Sequence, residues 1–321
     1  MTRKNIFVFI LLLAAFVVSF LILTFDVFGE DHSPQVYNIS IIVRGKNSDS
    51  WANIKQGADQ AASEMNVDLS FITLTEENNL REQISLLERE YISDVDAIVI
   101  SAADSEGLVK PIERIADKLP IICIESAVGS TMIGSYISAD NYAMGVQLGQ
   151  EILSSGNARK RLAVIDSSLG CTNVQQRMDG LMSVLRPIGG EIEHWAVPDD
   201  SAKSAAALAA HLDKKSTDVV VALDLSSLEL VGQAVSDVQA SYLDLFGIGA
   251  SGKVASFIEQ DIVSATIVQN DFGIGYLGVK SAVDALQNKA VSKTANVEHR
   301  LINWNNMYDS ENQRLLFPFI R

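Results

Sequence analysis

Polar and aromatic side chains suited to holding a small molecule recur along the chain, directly after short apolar segments. Hydroxyl, amide and carboxylate groups bind such a molecule through hydrogen bonds, and an aromatic ring adds an apolar face. Most of the apolar segments, each about four to eight residues long, are followed by side chains of these types. The segments that follow them are 44–51, 101–105, 125–126, 166–173, 223–226, 249–252 and 269–271.

Patterns typical of catalysis are missing from the sequence. The four histidines show no metal-ligand spacing and no adjacent nucleophile, and there is no Gly-x-Ser-x-Gly motif. We therefore expect a protein that is not an enzyme and that has no catalytic residue, metal or cofactor. One alternative stays open, because segment 247–252 followed by Asp271 fits the dinucleotide-binding fingerprint of a dehydrogenase-like enzyme.

Charge and cysteine content restrict the partners and the cross-links. The chain has 25 Lys and Arg residues against 40 Asp and Glu residues, which gives a formal net charge of -15. Such a chain repels nucleic acid phosphates, so no nucleic acid partner is expected. Cys123 lies in an apolar run typical of a buried strand, and Cys171 lies in a Gly-rich turn. A disulfide between these two cysteines is one alternative, and two free thiols are the other.

The N-terminus predicts a membrane helix. Residues 6–25 are apolar except for Ser19 and Thr24, and about 20 helical residues span the roughly 30 Å of a bilayer core. Basic residues precede the segment and acidic residues follow it, which places the body of the protein outside the cytoplasm. We expect a single-pass anchor, with a cleaved signal and a secreted or periplasmic protein as the alternative.

The order of predicted elements indicates an α/β fold. Segments rich in Val and Ile, without strict alternation, are typical of strands that are buried on both faces of a parallel sheet. Stretches with helical periodicity lie between them, as in 51–65 and 80–91. Two such series, divided near 138–141, predict two doubly wound parallel sheets. The predicted strands are 36–43, 67–74, 97–101, 120–125, 161–167, 218–223, 243–249 and 265–269.

Several segments, in their order and spacing, resemble the periplasmic binding proteins for ribose and galactose. These segments are 94–105, 135–141, 177–180, 265–276 and 305–308. The resemblance implies two lobes that close like a Venus flytrap and are joined by three hinge segments. It implies that lobe one is 36–139 with 271–297 and that lobe two is 140–268 with 299–321, after the N-terminal segment 1–30.

The same resemblance implies which residues contact the ligand. The first loop supplies an aromatic ring and polar groups, and the strand ends of both lobes supply amides and carboxylates. Carried over position by position, the ligand-binding residues are Asn47, Ser48, Ser50, Trp51, Ser101, Glu125, Gln175, Asp224 and Gln269.

The sequence departs from the family at three of these strand ends. Glu125 and Ser126 stand where sugar binders often have Asp and Arg, Gln175 stands where Arg is common, and Gly249 stands where Asp is common. Basic residues instead follow the first predicted strand, at 44 and 46, where they are positioned to meet an anionic group.

The resemblance implies a solute-binding protein that closes on a small polar ligand, a sugar or sugar-like molecule. Delivery to an ABC-type permease is the expected role. The alternative is a sensory binding protein that presents the ligand to a membrane receptor such as a histidine kinase.

Overall fold

Two units make up the chain in the computed structural model, residues 1–36 and residues 37–321. The structure describes residues 3–27, 35–46, 51–158, 160–189, 191–197 and 201–316. The first unit contains helix α1 (Arg3–Val27). Among the described helices, α1 alone is long and apolar enough to cross a membrane, over Lys4–Ile22, a test that a signal sequence also passes.

The second unit contains two six-stranded sheets. In the first sheet the strand order is β11-β5-β4-β3-β1-β2, and all of its strands are parallel. Its strands are β1 (Tyr37–Ile42), β2 (Val67–Ile72), β3 (Ala97–Ile100), β4 (Ile121–Ile124), β5 (Ser135–Ala139) and β11 (Thr294–Val297). We name this sheet with its covering helices lobe one.

The second sheet has the order β12-β10-β9-β8-β6-β7, and it is parallel except for the antiparallel edge strand β12. Its strands are β6 (Leu162–Asp166), β7 (Ile192–Ala196), β8 (Val219–Ala222), β9 (Asp244–Ile248), β10 (Ala265–Gln269) and β12 (His299–Asn303). We name this sheet with its covering helices lobe two. The predicted α/β class with two doubly wound lobes is confirmed.

Helices cover both faces of each sheet, as crossover connections between parallel strands require. Lobe one has α2 (Ala52–Met65), α3 (Leu80–Ile92), α4 (Val109–Glu113) and α10 (Asp271–Leu286). Lobe two has α5 (Asn141–Ile152), α6 (Thr172–Leu185), α7 (Ser201–Asp213), α8 (Leu225–Val238), α9 (Gly252–Glu259) and α11 (Ser310–Leu316). A π-helical turn (Leu153–Asn157) follows α5, and a 3₁₀ turn (Arg186–Ile188) follows α6.

In each lobe two neighbouring helices pack in close contact through glycines. In lobe one, Gly275 of α10 faces the carbonyl oxygen of Ile54, and Gly57 of α2 faces that of Phe272; a Cβ at either glycine would lie 1.9 Å from the oxygen. Gly145 and Gly180 bring α5 and α6 together in lobe two in the same reciprocal way. Only residues without a Cβ allow the two backbones to approach this closely.

The chain crosses between the lobes three times. It passes from β5 into α5, from β10 into α10, and from β11 into β12. Segment 135–141, one of the segments that carry the resemblance, contains the whole of β5 and the start of the first crossing. Each lobe is therefore assembled from separated parts of the sequence. In both sheets the carboxyl ends of the parallel strands face the crossings.

Candidate functional site

A cavity lies where the strand ends of the two lobes face each other. Lobe one contributes Arg44, Trp51, Ile54, Glu77, Glu125 and Asp271. Lobe two contributes Arg177, Asp224, Leu225, Ser226, Ile248, Gly249, Ala250 and Gln269. The free volume of this interlobe cavity is about 60 Å³, below the roughly 300–1,000 Å³ of most ligand pockets. A larger ligand therefore requires the lobes to separate or side chains to move.

Arg44 follows β1 and fills part of the cavity with its guanidinium group. Its Nε and Nη2 atoms donate to the two carboxylate oxygens of Glu125, each at 2.9 Å, and Nη1 donates to Asn78 at 2.9 Å. The guanidinium carbon also lies 5.7 Å from the centre of the Trp51 ring. A bidentate pair of this kind, with both residues buried, is strong and geometrically specific.

Glu125 is saturated with hydrogen-bond donors. Besides the two bonds from Arg44, Oε2 accepts from Ser101 Oγ at 2.7 Å and Oε1 accepts from the amide of Asn173. Burial alone would raise the pKa of this carboxyl, but the charges of Arg44 and Arg177 and the hydrogen bonds lower the pKa below its usual value. Glu125 is thus ionised, and it is tied to both lobes because Asn173 belongs to α6.

Arg177 is a buried cation whose hydrogen bonds go to neutral groups. Its Nε donates to Asn141 at 2.8 Å, Nη1 to the Leu223 carbonyl at 2.9 Å and Nη2 to Gln269 at 3.3 Å. Burial lowers the pKa of the guanidinium, since the charged form is poorly solvated there. Arg177 holds together the first residue of α5, the end of β8 and the end of β10.

Three further carboxylates line the cavity. Asp224 is 3% exposed; it caps α8 through Ser227 N at 2.8 Å and accepts from Ser167 Oγ at 2.6 Å. Asp271 accepts from Gln269 Nε2 at 2.8 Å, and burial raises its pKa to about 6.

The third of these carboxylates, Glu77, lies between the lobes. It accepts from Lys46 N at 3.1 Å and, across the cleft, from Ser226 Oγ at 3.3 Å. Burial raises its pKa as well.

Segment 168–173 of lobe two closes one side of the cavity against lobe one. Ser168 accepts from Asn78 at 2.9 Å, the Gly170 carbonyl accepts from Ser105 N at 2.9 Å, and Thr172 Oγ1 accepts from Ala127 N at 2.8 Å. Backbone and side-chain bonds of this kind across a cleft stabilise the closed arrangement of the lobes.

Cys171 provides a probe of this closure. Its thiol is fully buried, lies 3.3 Å from the Ala103 carbonyl of the other lobe, and has a pKa that burial raises to about 11. We expect a maleimide to label Cys171 each time the lobes separate, much faster than Cys123 in the interior of β4. Mass spectrometry of timed samples measures the two labelling rates. The control is Cys171→Ser, in which only Cys123 can be labelled. Equal rates at both thiols contradict an opening of the cleft.

Four of the residues implied by the resemblance line the cavity: Trp51, Glu125, Asp224 and Gln269. Ser101 lies behind them and orients Glu125. Asn47, Ser48 and Ser50 lie outside the described residues. Gln175 is not brought to the cavity, because its exposed side chain turns back along α6 and donates to the Leu169 carbonyl at 2.6 Å.

Two other expectations need correction. Arg44 was expected to meet an anionic group together with Lys46, and the anion that Arg44 binds is the protein's own Glu125. The alternative of a disulfide is wrong, because Cys123 and Cys171 are both free, one in each lobe.

Three charged residues at the cavity were not predicted from the sequence as part of the site. Glu77 stands five residues beyond the end of β2, and no predicted strand-end segment contains it. Asp271 was assigned to a strand-end segment but not to the site. Arg177 belongs to helix α6, and only the packing of α6 against β8 and β10 brings its side chain to the strand ends.

Comparisons with known proteins agree with the two-lobed α/β fold. Residues 39–290 match the family model of the periplasmic binding protein domain. The ribose import binding protein of Bacillus subtilis is 21% identical over 83% of this chain and 87% of its own length.

Two solved structures share the fold. A carbohydrate transporter solute-binding protein from Agrobacterium radiobacter, in complex with D-arabinose, has a TM-score of 0.83 at 23% identity over 88% of this chain and 100% of its own. An ABC transporter solute-binding protein from Agrobacterium vitis with bound D-fucose has a TM-score of 0.82 at 19% identity, over 87% of this chain and 100% of its own. Since the family model covers more than half of the chain, the protein belongs to the periplasmic binding protein family.

Proposed function

We propose that the protein is an extracytoplasmic solute-binding protein whose lobes close on a small polar ligand, a sugar or sugar-like molecule. The observation that carries the proposal is the convergence of Trp51, Asp224 and Gln269 from both lobes on one cavity. A ring, a carboxylate and an amide together suit a molecule with an apolar C–H face and several hydroxyl groups. The relative named for ribose import and the solved structures with bound D-arabinose and D-fucose support the same class of ligand.

Closure follows from contacts made to both lobes. A ligand held by Trp51 of lobe one also contacts Asp224 of lobe two when the lobes are closed. The free energy of this second set of contacts stabilises the closed arrangement. The lobes in this proposal are 36–139 with 271–297 and 140–268 with 299–321, and the first loop adds Asn47, Ser48 and Ser50.

The closed form delivers its ligand to an ABC-type permease in this proposal. The N-terminal helix α1 favours a single-pass anchor over a cleaved signal, because its apolar span is as long as a bilayer core. An anchored binding protein also fits the second role, presentation of the ligand to a receptor such as a histidine kinase. Neighbouring genes for a permease and an ATPase support delivery, whereas genes for a kinase and a response regulator support sensing.

Titration calorimetry of the full-length protein with D-ribose, D-arabinose and D-fucose tests the function. Trp51→Ala and Gln269→Ala are each expected to weaken binding about tenfold or more, since they remove a ring face or an amide from the cavity. Gln175→Ala is the matched control, and its affinity stays at the level of the unmodified protein because Gln175 is exposed away from the cavity. Unchanged affinity in both cavity variants contradicts the site, and the function is contradicted when neither these three sugars nor the hexoses and amino sugars named below bind.

A further inference from the structure

The charges of the interlobe cavity do not balance. Among the described residues that line it are four carboxylates, Glu77, Glu125, Asp224 and Asp271, and two guanidinium groups, Arg44 and Arg177. Arg44 and Glu125 neutralise each other through their bidentate pair. Arg177 then stands against three carboxylates, and its hydrogen bonds go to neutral groups.

The remaining carboxylates are held by neutral donors. Asp224 is bonded by a backbone N–H and a hydroxyl, Glu77 by a backbone N–H and a hydroxyl, and Asp271 by an amide. In the described part of the chain no Lys, Arg or His forms an ion pair with any of the three. Carboxylates accept hydrogen bonds and cannot donate them when ionised, so the free capacity of these three groups calls for a donor.

Two of these carboxylates lie on opposite sides of the cleft. Glu77 belongs to lobe one and Asp224 to lobe two, and the bond from Ser226 to Glu77 places them near each other in the closed arrangement. Like charges that approach in a poorly solvated cavity repel, which opposes closure. A cation placed between them reverses this contribution, because it attracts both lobes at once.

We propose that the ligand carries an ammonium group beside its hydroxyl groups, as an amino sugar does, and that this group binds between Glu77 and Asp224. This inference rests on the proposed function and narrows its ligand class. The Trp51 ring and the apolar side chains of Leu225 and Ile248 contact the carbon skeleton, and the two carboxylates distinguish the ammonium group from a hydroxyl. Anionic sugars such as sugar phosphates are disfavoured by the same charges.

Pairs of sugars that differ in one substituent test the inference. Calorimetry of the full-length protein compares D-glucosamine with D-glucose and N-acetyl-D-glucosamine, and D-galactosamine with D-galactose and N-acetyl-D-galactosamine. At least one amino sugar is expected to bind about tenfold tighter than its neutral counterparts, and to lose part of this advantage at high salt because the attraction is electrostatic.

Isosteric variants assign the preference to the two carboxylates. Asp224→Asn and Glu77→Gln keep the size of the side chain and remove the charge, and each is expected to abolish the preference for the amino sugar. Glu76→Gln is the matched control, because Glu76 is exposed and does not line the cavity; the preference persists in this variant.

The outcomes separate the two proposals. Neutral sugars that bind as tightly as their amino counterparts overturn the inference and leave the sugar-binding function in place. Binding of D-ribose, D-arabinose or D-fucose without binding of either amino sugar does the same. A panel in which no neutral sugar and no amino sugar binds contradicts the proposed function as well.

Discussion

Replacing Arg44 by methionine is expected to lower the free energy of unfolding by about 3–5 kcal/mol. The variant leaves the Glu125 carboxylate buried without its cationic partner, while Ser101 and Asn173 still hold it in place. The loss comes mostly from this uncompensated charge, since methionine preserves much of the volume of the arginine stem. Chemical denaturation of the full-length protein, followed by the fluorescence of its tryptophans, measures the change.

Two controls separate the buried pair from arginine removal in general. The double variant Arg44→Met with Glu125→Gln removes both charges and recovers most of the lost stability, because a neutral amide is far less costly to bury. Arg114→Met breaks the exposed pair with Glu88 and changes stability by less than about 1 kcal/mol. A double variant that is no more stable than Arg44→Met shows that the charge of Glu125 is not the source of the loss.

The substitution Gly275→Ala is expected to destabilise the protein by about 3 kcal/mol or more, the upper range for overpacking. The added methyl group would lie 1.9 Å from the backbone oxygen of Ile54, and backbone cannot turn aside as a long side chain can. Helix α10 must then move away from α2, and Asp271 in its first turn moves with it. Thermal and chemical denaturation of the variant measure the loss of stability.

Gly252 offers the matched control for this change. It begins α9, and a Cβ there meets nothing within 4 Å. Gly252→Ala is therefore expected to leave stability unchanged or to raise it by up to about 1 kcal/mol, because alanine reduces the entropy of the unfolded chain. Equal losses in both variants rule out the close approach of α2 and α10 as the cause.

Most interior strands could be predicted from the sequence because they are buried on both faces. The segment predicted as 265–269 has the same limits as β10, and the interior strands β1, β3 and β4 lie within their predicted segments. The edge strand β2 was also predicted, whereas the interior strand β5 was not. The edge strands β7 and β11 lack this signal. In β7 and β11 exposed and partly exposed residues dominate, so no continuous apolar run marks them.

The site was predictable only where its residues follow predicted strands. Glu125 and Asp224 follow strands β4 and β8, and Gln269 ends β10. Parallel topology places each of them at the carboxyl edge of its own sheet. The pairing of Arg44 with Glu125 joins positions that are 81 residues apart, and it depends on which strands are neighbours. Arg177 lies within a helix, where no strand-end rule applies, so its place in the cavity could not be inferred from spacing.

The three passages of the chain between the lobes have a consequence for biosynthesis. Helix α10 packs on α2 and the first sheet, yet it begins at residue 271 of 321. When the ribosome has synthesised the first 260 residues, neither lobe therefore has all the elements of its interior. Both lobes reach their final form only after α10 and the strands that follow it have been synthesised, and until then apolar surface of β1, β3 and β4 remains available to chaperones.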